Sequence, residues 1–249
     1  LSQIKPGGVS ALDGITEFQE HRDFTFTRGD ARKAYSSKKM TEFTRDVVMI
    51  RNVSAGNQPA LIIFDRVVST NSSFKKIFLL HMMNKPSVVS QKITVSNDPA
   101  ILYADVILPD SASIVAVGGP GHEYECGGTN WNFSDPAKET MPEAIAWRLE
   151  ISPTVAATRD NFLVAMDIGD NKTGQRTSKQ LVSSTLFRGV VINGKVGIIF
   201  SRSLPIVSFG TEAIQWSFGT VENILVVGLD KSTTYGITIK NNQLTISDD

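Results

Sequence analysis

FTRDVVMIRN (43–52) and PALIIFDRVVSTNSSFKKIFLLHMM (59–83) alternate apolar with polar residues at strand period, in runs of strand length and not helix length. The pattern continues on both sides of them. Ile93 and Val95, then Ile101 to Leu108, form further runs, with Asn97-Asp98-Pro99 as a turn between them. In VVINGKVGIIF (190–200), Asn193-Gly194 suits a type I′ turn that sets the register of its flanking strands. YGITIKNNQLTIS (235–247) reads as a second hairpin with Asn241-Asn242 at its tip, so the C-terminal half is predicted to be an antiparallel meander. The one stretch compatible with a helix is a turn or two over Lys138 to Ile145. The expected fold is therefore an all-β, antiparallel β-sandwich, large enough for two stacked sheet systems and with very little helix. Residues 1–249 form one sandwich region in this reading, with 134–142, around Ser134-Asp135-Pro136, as the candidate boundary if there are two sub-domains.

Composition narrows the function classes. Lys plus Arg and Asp plus Glu are 25 each, so no global field recruits nucleic acid or an anionic membrane, and an anionic ligand must be held by local clusters. No stretch approaches the roughly 18 apolar residues of a membrane-spanning helix. Cys126 is the single cysteine, which excludes an internal disulfide. The chain opens at Leu1 without Met or a signal peptide, which predicts processing or excision from a longer polypeptide.

Several segments, in order, resemble the late β-sandwich region of heparinase II/III-like polysaccharide lyases. They are the arginine-led strand Arg45 to Ile50, the strand end Asp65-Arg66-Val67, Leu79-Leu80-His81, Leu108-Pro109, Gly118-Gly119-Pro120-Gly121, Gly127 to Trp131, and Trp147-Arg148-Leu149-Glu150 with Ser152-Pro153. The resemblance covers roughly residues 20–170, and its weight lies in the order of the pieces, each of which is weak alone. It implies a parent enzyme that cleaves acidic, uronate-containing glycans by β-elimination, in the periplasm or outside the cell. It also implies a helical toroid, as a missing N-terminal part of the same protein, that carries much of the catalytic machinery. The family's catalytic Tyr and His lie on that toroid and near a His-x-His entry to the sandwich. This chain has neither feature. Its histidines, His21, His81 and His122, are far apart, and Tyr35, Tyr103, Tyr124 and Tyr235 lack catalytic context. No catalytic residue is assigned, and the sandwich is expected to contribute stability and one side of the substrate groove. A stand-alone carbohydrate-binding or interaction module of a secreted protein is the alternative.

No cofactor is assigned. A structural zinc in the parent protein is implied by the resemblance, but its ligands lie upstream. Zinc needs about four ligands within about 2.3 Å; Asp65 with His81 is a pairing that adjacent strands can bring together, and it reads otherwise as a capped strand end and a half-buried histidine. For substrate binding the candidates are Arg32, His122, Tyr124, Asn130 and Trp131. The last four lie in GGPGHEYECGGTNW (118–131), where glycines permit tight turns beside aromatic, amide and charged groups suited to sugar rings. For Trp131 the packing habit of large aromatics favours a place in the core. Arg32 belongs to a run of cations, His21, Arg22, Arg28, Arg32, Lys33, Lys38 and Lys39, interleaved with Asp23 and Asp30. That run reads either as one wall of a cleft for an acidic glycan or as a solvated surface with ordinary ion pairs.

Overall fold

The computed structural model describes residues 14–53, 58–131, 147–170, 172, 174–206, 208–217 and 221–248. The candidate helix at 138–145 and the candidate boundary at 134–142 lie outside them. The first strands are β1 (Gly14–Glu20), β2 (Phe24–Asp30), β3 (Met40–Ile50), β4 (Ala60–Ser69), β5 (Phe78–Met82), β6 (Ser87–Val89) and β7 (Lys92–Asn97). There follow β8 (Ala100–Leu108), β9 (Ala112–Gly118), β10 (Glu125–Cys126), β11 (Thr129–Asn130), β12 (Trp147–Pro153) and β13 (Arg159–Asp170). The chain continues with β14 (Lys179–Ser183), β15 (Phe187–Ile192), β16 (Val196–Ser201), β17 (Thr211–Gln215), β18 (Asn223–Val227), β19 (Tyr235–Lys240) and β20 (Gln243–Asp248). Among the described residues the helical content is a single 3-10 turn, Arg32–Ala34. The protein is all-β.

Four packed layers result. The central sheet has eight strands in the order β1-β2-β3-β4-β13-β8-β7-β6. One of its faces carries the sheet β5-β12-β9; the other carries β14-β15-β16-β18, whose far side is in turn covered by β17-β20-β19. Strand β4 shows why the layers hold. Ala60, Ile62 and Phe64 point into one core, where Phe64 stacks on Phe200 of β16 at 4.8 Å, while Leu61, Ile63 and Val67 point into the other, with Phe162, Leu149 and Ile151. A strand covered on both faces has no polar alternation to keep, so its apolar run is nearly continuous. Full burial of each such side chain contributes about 1.5–3 kcal/mol. A third core, with Phe187, Trp216, Leu244 and Ile246, joins the two C-terminal sheets. Strands on both sides of 134–142 share sheets, since β12 pairs with β5 and β9 and β13 pairs with β4 and β8.

Both predicted hairpins form. Asn193 and Gly194 have φ of 53° and 65°, and Lys195 N–H donates to Ile192 C=O at 3.0 Å. Asn241 and Asn242 have φ of 51° and 59° between the paired Lys240 and Gln243. Among the described strands the antiparallel expectation has one exception. β16 and β18 run parallel, because the chain between them leaves for the outermost sheet to form β17 and returns from it.

The interior also holds charge. On β3 and β4, Arg45-Asp46 faces Asp65-Arg66. Alternation sends the two residues of each dipeptide to opposite faces of the sheet. On one face Arg45 donates to both oxygens of Asp65 at 2.7 and 2.6 Å and lies over the ring of Phe78 at 4.8 Å. On the other, fully buried Asp46 accepts from Arg28 at 2.6 and 2.9 Å and from fully buried Arg66 at 2.9 Å. Arg66 Nε also donates to the Ser201 carbonyl of β16 at 2.7 Å, tying the two sheets together. A second tie lies at β14, where Lys179 meets Asp167 at 2.5 Å and Thr177 donates to the same carboxylate through both its N–H, at 2.9 Å, and its hydroxyl, at 2.7 Å.

This network generates a prediction. Asp46→Ala leaves two buried guanidinium groups short of a carboxylate and is expected to destabilise the fold by about 3–5 kcal/mol. Urea unfolding measures it, and a loss under 1 kcal/mol would mean that water or a neighbouring group replaces the carboxylate, with about that much net worth for the pair.

Candidate functional site

The segment 118–131 leaves the end of β9 and closes on itself. Gly127 and Gly128, at φ of 63° and 81°, form a two-residue turn between β10 and β11, with Cys126 paired to Thr129. His122 N–H donates to Gly119 C=O at 2.9 Å, and Tyr124 N–H donates to Asn130 Oδ1 at 2.8 Å. Asn130 Nδ2 reaches Glu123 at 3.4 Å, and the Trp131 indole N–H reaches the Cys126 carbonyl at 3.4 Å. The base is held by packing. Gly119 is buried, and a Cβ there would stand 2.6 Å from Cζ2 of Trp147, so no other residue permits this seat.

Four of the five candidate residues, His122, Tyr124, Asn130 and Trp131, thus come together. Trp131 corrects the core expectation: it is 65% exposed. It stands just after the two-stranded β10–β11 hairpin, which among the described residues pairs with no other sheet. Asn130 is largely committed to holding the loop. His122 Nδ1 lies 2.5 Å from Glu125. The Glu123 carboxylate is held below its ordinary range, first by its own backbone N–H, then by that of Gly121 at 2.9 Å, with Asn130 adding to them. The two acidic residues are therefore turned inward onto donors.

Arg32 does not join them. It stands in the connection between β2 and β3, with Asp30 at 3.7 Å. The cationic run as a whole is dispersed. Strand β2 separates His21 and Arg22 from Arg32 to Lys39 by its own length, about 20 Å at a strand's rise per residue. Arg28, read as part of a cleft wall, instead lies in the interior beside Asp46 and Glu17, because its position on β2 faces the core. Among the described residues a cation that stands by the base of the loop is Lys85, exposed, with its ammonium 5.3 Å from the ring of Trp147, on which Gly119 packs. No local pattern marks it, since its neighbour Trp147 is 62 residues on (147 minus 85).

The Asp65–His81 pairing for a metal does not form. Asp65 points between the central sheet and β5, onto Arg45, whereas His81 follows Leu80 on β5 and so points outward, to solvent. The described residues contain no group of three or more His, Cys, Asp or Glu suited to a metal ion. In chemical terms the loop offers a flat apolar ring with hydrogen-bonding neighbours, suited to stacking against a sugar face.

No family model matches the chain, and no curated protein matches it. Among solved structures, heparinase III, the BT4657 gene product with methylated lysines, is similar at a TM-score of 0.46 and 11% identity, over 75% of this chain. The chain spans 27% of that protein's length.

The loop electrostatics make a pH prediction. A carboxylate with a depressed pKa contributes order that is fully present above its unfolded value of about 4.5 and is lost as pH falls through the lower folded value. Trp131 fluorescence is expected to hold steady down to pH 4.5 and to change below it, and Glu123→Gln is expected to abolish that transition. A transition that persists in the variant would assign it to another group.

Proposed function

We propose that this chain is the C-terminal β-sandwich portion of a polysaccharide lyase acting on acidic, uronate-containing glycans, with a structural and groove-lining role and no complete active site of its own. In this reading the β-elimination chemistry belongs to a helical part of the same protein, and the protein works in the periplasm or outside the cell. The observation that carries the proposal is the exposed indole of Trp131. It is held in a pre-formed loop within the segments on which the sequence resemblance rests. Lys85 beside that loop supplies a cation for a carboxylate, and the inward-turned Glu123 and Glu125 lessen the repulsion of an anionic chain. The alternative, a stand-alone carbohydrate-binding or interaction module of a secreted protein, is favoured by the hydrogen bonds that join Gly121 to Glu123, His122 to Glu125, Tyr124 to Asn130, Asn130 to Glu123 and Trp131 to Cys126, all within the loop. The gene upstream of the Leu1 codon separates the two: a helical toroid supports the first reading, and an unrelated domain supports the second.

Two outcomes are expected in solution. The isolated chain forms no unsaturated uronate from heparin, heparan sulfate or alginate, because a carboxylate neutraliser, a base for the C5 proton and an acid for the leaving oxygen are not assembled in the loop. Product absorbance that scales with chain concentration, and vanishes in His122→Ala, would overturn this. Uronate oligomers are expected to bind at about millimolar Kd at low salt, a gain of about 4 kcal/mol. Trp131→Ala weakens binding about tenfold through lost stacking, Lys85→Ala weakens it less and reduces its salt dependence, and Arg32→Ala leaves the loop shifts unchanged. An NMR titration reads all three, and indifference to Trp131→Ala would remove the loop from the groove.

A further inference from the structure

Arg22, Arg28 and Arg45 each present the Nε and Nη2 edge of the guanidinium to both oxygens of one carboxylate, at 2.6 to 3.2 Å. Arg188 and Arg202 do not. Among the described residues neither has a carboxylate within ion-pair distance, and the bonds they make run from Nη1 to main-chain carbonyls. Arg188 donates to Ser184 and, at 2.8 Å, to Phe187, and Arg202 donates to Thr185 at 2.9 Å. The two guanidinium groups thus grip consecutive carbonyls, Ser184 and Thr185, in the turn that joins β14 to β15.

Strand register sets them side by side. Arg188 stands opposite Phe200, and Arg202 N–H continues the ladder by donating to Leu186 C=O at 2.8 Å. Arg202 is therefore the diagonal neighbour of Arg188, on the face that Phe200 turns toward Phe64 of the central sheet. Diagonal neighbours lie about 7–8 Å apart, within reach of long side chains. Arg159 comes in from β13, donates to Arg202 C=O at 3.3 Å and pairs with Glu42 at 3.0 Å, so Glu42 is engaged by a third guanidinium. Burial lowers the pKa of Arg188 and the charge of Arg202 lowers it further, while Asp110, in the turn between β8 and β9, acts in the opposite direction from beyond contact. The donors are underused. Arg202 Nε is buried with no partner, and Arg188 Nε and Nη2 and Arg202 Nη2 meet no acceptor among the described residues. Both residues are partly exposed, which gives a ligand access.

We propose that Arg188 and Arg202 form a site for a tetrahedral oxyanion, the sulfate or phosphate group of a ligand. The Nε–Nη2 edge of Arg188 supplies two donors along one side, and Arg202 Nη2 supplies a third from another direction. A carboxylate has two coplanar oxygens and meets the first pair; a tetrahedral group presents oxygens to all three. The carbonyls of Ser184, Thr185 and Phe187 hold both guanidinium groups in place before the ligand arrives, which lowers the ordering cost of binding. The site is separate from the Trp131 loop. Asp110 precedes β9 and the loop follows it, at the other end of a strand about 20 Å long, so the proposal does not rest on the role given to that loop.

The test titrates the whole chain with sodium sulfate at constant ionic strength, balanced with sodium chloride, and follows the amides of Thr185, Leu186 and Arg202 and the Arg188 Nε–H by NMR. Saturable shifts with Kd of about a millimolar are expected, with acetate at least about tenfold weaker. Galactose 6-sulfate and galactose 6-phosphate separate the two sources: either one binding at these residues supports the site, and the tighter of them identifies the group it takes. Arg188→Lys keeps the charge and removes the fork, and is expected to weaken sulfate binding about tenfold, with β-sheet circular dichroism unchanged. Trp131→Ala is expected to leave sulfate binding as it is. Absence of saturable shifts with sulfate, or acetate binding as tightly as sulfate, would overturn the proposal, and both are read on the unmutated chain. Sulfate binding undiminished in Arg188→Lys, or lost in Trp131→Ala, would also overturn it.

Discussion

Two dipeptides of opposite charge order, Arg45-Asp46 on β3 and Asp65-Arg66 on β4, lie side by side at the centre of the largest sheet. A strand must send neighbouring residues to opposite faces, so each dipeptide delivers one charge to each core. Arg45 then meets Asp65 on one side, while Asp46 meets Arg66 and Arg28 on the other. A slip of one residue between β3 and β4 would strand these charges against apolar layers, where an unpaired ion is very costly. The pairs are weak evidence for net stability, since burial of both partners offsets much of their attraction. Their effect is on specificity, because they penalise every other register of the strands around which the layers are built.

The four layers follow from that sheet being covered twice. Its apolar faces demand partners, and the chain supplies them from both directions: β5, β9 and β12 on one face, the C-terminal strands on the other. Arg66 to Ser201 and Asp167 to Thr177 and Lys179 anchor the C-terminal layer at separate points, with an apolar core between them. Such ties discriminate against sliding of one sheet over the next, which apolar contact alone tolerates.

Binding surfaces arise where the layering stops. The loop bearing Trp131 begins where β9 ends, and its two-stranded hairpin joins no other sheet among the described residues, with Trp131 exposed. A cleft between the His21–Phe24 turn and Asn223, Ile224 and Leu225 lies where the eight-stranded sheet extends past the four-stranded one. Neither site is built around a buried catalytic charge. These buried ionic groups instead pair neighbouring strands of the central sheet or tie it to the next, and both residues of Asp65-Arg66, a motif in the sequence resemblance, are held in such pairs.

Local sequence determined the elements: the strand runs, the Asn193-Gly194 and Asn241-Asn242 turns, and the glycine-built loop at 118–131. These depend on period-two alternation and on positive φ, which act over a few residues and are legible without the rest of the chain. What lay far apart in sequence was decided by tertiary structure alone. The parallel pairing of β16 with β18, the inward turn of Arg28 and the separation of Asp65 from His81 are examples. So are the arrival of Lys85 beside Trp147 and the exposure of Trp131. Each is set by which face of which sheet a residue occupies, and a face is buried only when another layer, remote in sequence, packs against it. A run of cations in sequence is likewise spread along a strand in space, while cations remote in sequence, Arg22, Arg51 and Lys195, line one cleft.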